Sequence, residues 1–219
     1  MHWTVRTYNS TLGKKLLMAV TGIILFLYVV VHMLGNLQIY LGPARLNAYA
    51  RLLHASPAFL WTARSILLFC VLVHIIAAVQ LTVRNWGSRP VKYYARHYKE
   101  ADYAARTMVW SGPIIAAFVV FHILDFTTGT LHPGLFIEGN VYHNVVSSFQ
   151  VWYVALTYIV ANALLGFHLY HGLWSLFQTV GASHPTYDRF RRVLASAVAV
   201  MIATANISIP TAVLIRLVS

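Results

Sequence analysis

Apolar residues gather in five long blocks, roughly 16–40, 60–84, 107–129, 149–178 and 192–217, and short polar stretches between them hold nearly all the charge. A helix of about 20 residues crosses a hydrocarbon core of about 30 Å, so each block is long enough to span a bilayer. Between Glu138 and Asp188 there is no Lys, Arg, Asp or Glu at all. The pattern predicts an all-α integral membrane bundle of five transmembrane helices, formed by residues 1–219 as a single domain.

Histidine interrupts the apolar blocks. His32 sits in "LFLYVVVHMLGN", His74 in "FCVLVHIIAAV", His122 in "FVVFHIL", and His168 and His171 in "LLGFHLYHGLW". An imidazole in hydrocarbon costs free energy unless it has a partner. The first and third blocks carry theirs in matching surroundings. "MAVTGIILFLYVVVHML" from Met18 lies over "MVWSGPIIAAFVVFHIL" from Met108 without a gap, matching Thr21 to Ser111, Gly22 to Gly112 and His32 to His122. Two helices running the same way with the same pattern read as a parallel internal repeat.

Composition agrees with lipid as the solvent. Of 219 residues, 59% are hydrophobic and 10% charged, against about 25% charged in soluble domains. The net charge of +11 is directional. Arg6, Lys14 and Lys15 precede the first block, Arg84, Arg89, Lys92, Arg96, Lys99 and Arg106 lie between the second and third, and Arg189, Arg191 and Arg192 precede the fifth. That puts 12 of 16 basic residues on one side, leaving Arg45, Arg51, Arg64 and Arg216 toward the other. By the positive-inside rule the N-terminus and these loops are cytoplasmic, which reads as an insertion signal and a docking face for a cytoplasmic partner, not for nucleic acid. No small-residue cleavage site follows the first block, so it is expected to act as an uncleaved signal. Cys70 is the only cysteine, which excludes a disulfide, a Cys-x-x-Cys site and covalent haem attachment.

Depth then sorts the histidines. At about 1.5 Å per residue, His32 and His122 lie roughly 24 and 22 Å from the inner ends of their helices, and His74 and His168 about 15 Å. An outer pair and an inner pair result. Zinc or non-haem iron favours a tight cluster with carboxylates, which the helices do not supply. A proton-transport path would want acids along it, and only Asp125 is present. Bis-histidine haem fits better, each iron taking one imidazole from each of two helices. Thr21, Ser111, Gly22, Gly112 and Gly172 are small enough for a macrocycle to approach, although small residues are common in membrane helices anyway. The residues thus point to a di-haem b-type cytochrome, with packing across helix interfaces as the alternative for the histidines.

Three segments carry a family resemblance: "VVVHMLGNLQIYLGPARLNAYARLL", "VYHNVVSSFQ" and "FHLYHGLWSLFQTVG". They resemble the single-polypeptide, five-helix, di-haem cytochrome b anchor subunit of succinate:quinone oxidoreductases, the respiratory complex that serves as succinate dehydrogenase or fumarate reductase. The likeness covers the whole chain, the last block least, and His-x-x-x-Gly-Leu-Trp at His168 is its most specific part. It implies iron ligation by His32 with His122 and by His74 with His168, assigning the fourth ligand to His168 over His171. The latter is left to a haem propionate or to packing. It also implies two haems b, a flavoprotein subunit with FAD and an iron–sulfur subunit docked on the cytoplasmic face, and quinone, usually menaquinone, as electron acceptor. The location implied is the bacterial cytoplasmic membrane, among lipids and with a higher oligomer of the complex left open. Succinate chemistry belongs to the partners, since this chain has neither a flavin fingerprint nor cluster cysteines.

Quinone reduction takes up protons, so its site needs a protonatable group. Asp125, one turn beyond His122, is the only carboxylate in the predicted helices and reads either as that proton relay or as a helix-end acid wetted by the interface. Asn36, Gln38 and His143 are further candidates around an outer quinone pocket. Arg64 reads equally as a partner for a haem propionate or as a snorkelling cation. Some fumarate reductases of the family place a glutamate two residues before the fourth ligand; here that position is Gly166, so the resemblance implies electrogenic transfer if quinone reacts on the outer side. His2, His54, His97, His132 and His184 read as solvated loop residues, and Trp3, Trp61, Trp86, Trp110 and Trp152 as interfacial anchors, with Trp174 near the inner haem. Two other readings stay open: a haem b subunit of a different quinone-linked dehydrogenase, and a haem-free structural anchor.

Overall fold

A computed structural model describes residues 10–87, 103–182 and 184–219. Trp3, Arg6, Arg89, Lys92, Arg96, Lys99, His2 and His97, and the side chain of Arg106, lie outside the described residues. Among the described residues there are seven α-helices and one 3-10 turn: α1 (Thr11–Asn36), the turn (Leu37–Leu41), α2 (Pro43–His54), α3 (Pro57–Gly87), α4 (Tyr103–Phe126), α5 (Val141–Gln150), α6 (Trp152–Thr179) and α7 (Pro185–Leu214). Five of them, α1, α3, α4, α6 and α7, are long and apolar enough to cross a membrane. The protein is a multi-pass, five-helix membrane bundle.

Local chemistry sets the helix limits. Ser10 caps α1 by accepting a hydrogen bond from the Gly13 amide at 2.9 Å. Proline opens α2, α3 and α7, where its missing N–H has no helical acceptor to lose. Before α2 the chain must reverse, and Gly42 does so at φ +89°, a backbone region open to glycine.

The sequence pattern placed α2 and α5 in loops. Both are short and amphipathic, too short to register as spans, and a polar clasp joins them. Asn47 donates to Asn140 Oδ1 at 2.9 Å and accepts from the Tyr142 amide at 3.0 Å. Asn144 is buried and closes both backbone groups of Ile137, at 2.8 and 2.9 Å. Asn144→Ala strands the Ile137 amide, while the Ile137 carbonyl keeps the Asn140 amide at 3.1 Å. The cost is about 2 kcal/mol, and a lower thermal midpoint of the detergent-solubilised protein is expected, as scanning calorimetry would read.

Packing is uneven along the bundle. The largest buried cluster joins Ile39, Leu46, Phe149, Tyr158, Ile209 and Val213 at the end covered by α2 and α5, called here the far end. Toward the opposite, basic end, Lys14 Nζ donates to Gln80 Oε1 at 2.8 Å, which sets α1 and α3 antiparallel. α1 packs along α3, α4 along α6, and α7 along α6. The first two are equivalent hairpins, the structural form of the repeat in the sequence. In α4, only 6% of the most apolar 18 residues are buried within the chain, against 33% in α6 and α7. Trp61, Trp86, Trp110 and Trp152 point outward, each more than 60% exposed, as rings seated at a lipid boundary do.

Candidate functional site

Four histidines from four different spans meet in two pairs. His32 on α1 and His122 on α4 stand with ring centroids 5.6 Å apart and planes at 89°. His74 on α3 and His168 on α6 stand 6.4 Å apart at 57°. Neither α1 with α4 nor α3 with α6 is a closely packed helix pair, so the histidine side chains reach across the space between the two hairpins. Among the described residues no three His, Cys, Asp or Glu side chains gather around one point, so the imidazoles meet only in twos.

Each hairpin positions one of its own histidines through Nδ1. Thr21 Oγ1 directs its single hydrogen to the Leu17 carbonyl at 2.7 Å, so at 3.2 Å from His74 Nδ1 it accepts that ring's N–H. Tyr158 donates to Asp125 Oδ2 at 3.0 Å, and its oxygen, 3.3 Å from His122 Nδ1, accepts likewise. Both rings are thereby held as the Nδ1–H tautomer, with the lone pair on Nε2. This is the arrangement of metal-bound histidine, whose second nitrogen donates to a fixed acceptor. Phe118 and Phe126 flank His122, and Tyr28 stacks on His32 at 5.3 Å.

The spacing tests whether a bis-imidazole metal group fits. Two rings bound at about 2.0–2.1 Å to opposite sides of one metal place their centroids roughly 6 Å apart. The observed 5.6 and 6.4 Å bracket that value. His168 Nδ1 and Trp174 Nε1, toward the basic end, are buried without a hydrogen-bond partner, as is Ser111 Oγ. A Cβ at Gly112 or Gly172 would meet nothing within 4 Å, and at Gly22 it would touch His74 Cε1 at 3.4 Å. Each pair thus has the donor set and the spacing to hold one metal group between two imidazoles.

Asp125 is neither a wetted helix end nor open to lipid. It is 4% exposed, and its carboxylate accepts from Ser148 Oγ at 2.9 and 3.1 Å and from Tyr158, with His132 Nδ1 at 3.1 Å. The cavity beside it holds about 10 Å³, lined by Asp125, His132, Asn144 and Ser148 among others, which is room for one water and not for a quinone ring. A larger hollow of about 430 Å³ lies elsewhere at the far end, between Tyr40, Gly42, Tyr142 and Leu217. His132 is therefore no solvated loop residue: the chain after α4 folds back and sets it, half-buried, against the acid.

The other candidates divide. His143 Nε2 donates to the Leu135 carbonyl at 3.1 Å within the far-end loop, while Asn36 and Gln38 are half-buried where α1 passes into the 3-10 turn. Arg64 lies over the Trp61 ring at 5.2 Å on its own helix. His171 faces Trp174 at 6.3 Å, and the same indole meets the Arg192 guanidinium at 4.9 Å. Sequence reasoning passed over Tyr158 and Ser148. The signal for Tyr158 was the one used for the histidines, a polar atom in an apolar run that must find a partner.

Set against protein-family models, curated proteins and solved structures, the chain matches none of them.

Proposed function

We propose that the chain is the di-haem cytochrome b anchor of a succinate:quinone oxidoreductase, in the bacterial cytoplasmic membrane with its basic end in the cytoplasm. One observation carries the reading: four span histidines meet in two pairs at two depths, at spacings that suit one metal between each pair. The second support is the Nδ1 anchoring of His74 and His122, which leaves Nε2 as the donor atom in both. In this reading His74 and His168 hold the haem nearer the cytoplasm, and His32 and His122 hold the outer one. The haems, when bound, supply one-electron storage at two depths, so that electrons from an iron–sulfur subunit cross most of the bilayer to a quinone, menaquinone by resemblance. Thr21 and Tyr158 keep the ligand rings in register. Asp125, with its hydrogen-bond chain to His122 on one side and His132 on the other, is the proton relay beside the outer haem in quinone turnover. The flavin and iron–sulfur chemistry resides in partner subunits bound at the basic face.

The purified complex is expected to give a reduced-minus-oxidised haem b spectrum and two haems per copy of this chain by pyridine haemochrome. Absence of a Soret band would reduce the protein to a haem-free anchor. Two haems accompanied by formate- or hydrogen-oxidising subunits, without a succinate-oxidising flavoprotein, would assign the anchor to another dehydrogenase.

A further inference from the structure

The two hairpins repeat each other, yet one contact made in the first is open in the second. In the first, Thr21 on α1 accepts from His74 Nδ1 on α3 at 3.2 Å. Ser111 is the repeat equivalent of Thr21, eleven residues before His122 as Thr21 is eleven before His32. His168 is the equivalent of His74, on the helix that α4 packs along. Ser111 Oγ and His168 Nδ1 are both buried and both without a hydrogen-bond partner, and Ser111 is only 1% exposed. Two orphaned polar atoms on packed helices each carry an uncompensated desolvation cost, which one bond between them removes.

Register brings them to one level. The His32–His122 and His74–His168 pairs tie the hairpins side by side at two heights, so Ser111 stands at the depth at which Thr21 reaches His74. Their chemistry differs in one respect. Thr21 carries a methyl group and back-bonds to the Leu17 carbonyl, which fixes its rotamer. Ser111 makes no such bond and has no methyl, so its hydroxyl is free to rotate. Pro113, two residues on, removes a helical bond to the Val109 carbonyl and loosens α4 beside it.

We infer that Ser111 is the positioning residue of His168: its hydroxyl accepts the Nδ1–H of that ring, as Thr21 accepts that of His74, so that both ligands of the haem nearer the basic end are oriented by hydroxyls on the neighbouring helix. The inference rests on the di-haem reading above. A hydrogen bond accepted from Nδ1–H makes an imidazole a more basic ligand, which favours the oxidised iron and lowers the potential.

The test is an optical redox titration of the purified complex, resolving the two haems, for Ser111→Val and Ser111→Thr. These replacements share a shape and differ by the hydroxyl. Ser111→Val is expected to raise the midpoint potential of the haem nearer the basic end, leaving the other unchanged. Ser111→Thr is expected to hold the wild-type value, and Thr21→Val to move the same haem in the same direction as Ser111→Val. Equal potentials for the Val and Thr variants at position 111, or a shift confined to the outer haem, would overturn the assignment with the di-haem reading intact. If Ser111→Val does not assemble, Ser111→Ala against Ser111→Thr makes the same comparison. A wild-type complex with no haem would overturn the di-haem reading and this inference together.

Discussion

His168→Ala is expected to purify with one haem b per chain in place of two, while His171→Ala retains both. The two residues lie three apart on α6 and face nearly the same way, so sequence spacing alone does not choose between them. Their neighbours do. The His168 ring is opposite His74 across the gap between hairpins, at 6.4 Å. The His171 ring leans on Trp174, one turn nearer the basic end. On the di-haem reading, losing His168 would leave His74 without its opposite ligand, and bis-histidine ligation would fail at that level alone. His32 and His122 are anchored by separate partners, Tyr28 stacking on one and Tyr158 bonding the other, so the outer haem should keep its spectrum. Electron flow from succinate to quinone should stop, because the remaining haem is left without its inner relay. Pyridine haemochrome on both variants decides the matter; two haems in His168→Ala with one in His171→Ala would reverse the ligand assignment.

Asp125→Asn should leave both haems in place and slow quinone turnover by about 100-fold, within the range general acid–base groups contribute. Asparagine keeps the shape and one acceptor oxygen for Ser148 or Tyr158, so the far-end packing survives. What it loses is the ability to take up a proton and the charge that His132 faces. Tyr158→Phe probes the other half of the chain: the phenolic link between Asp125 and His122 goes, and the ring contacts with Phe118 and Phe149 stay. Steady-state quinone reduction, measured beside the haem content, separates the two effects. Full activity with two haems in Asp125→Asn would remove the acid from the reaction and leave it a structural role, holding the loop after α4.

The spans were legible because hydrocarbon imposes a length and a composition that few other folds meet. The histidines were legible because each breaks an apolar run, and the parallel repeat was visible in residues 18–34 and 108–124. What escaped was short or tertiary. α2 and α5 carry mixed polar and apolar residues over little more than two or three turns, a pattern that does not separate from a loop. His132 looked solvated because nothing in its flanking sequence announces that the chain doubles back onto Asp125. Tyr158 sits in a run whose many aromatics hide the one hydroxyl needing a partner. The small residues are a subtler case: Thr21 and Ser111 were noted for size, whereas the hydroxyl of Thr21 proves to be the feature in use.

The uneven packing bears on how the subunit is made in the cell. Its far end carries the largest buried cluster and the α2–α5 clasp, all from its own side chains. Nearer the basic end the chain packs more thinly: a Cβ at Gly112 or Gly172 would meet nothing within 4 Å, and only 6% of the most apolar 18 residues of α4 are buried within the chain. On the di-haem reading, the polypeptide is expected to insert and close its far end during synthesis, and the interior between the hairpins would be completed only when haem binds. Haem supply would then be the maturation step, and chains that miss it would be the ones exposed to membrane proteases. The abundance of the finished respiratory complex would then follow the cell's haem status even when all its genes are fully expressed.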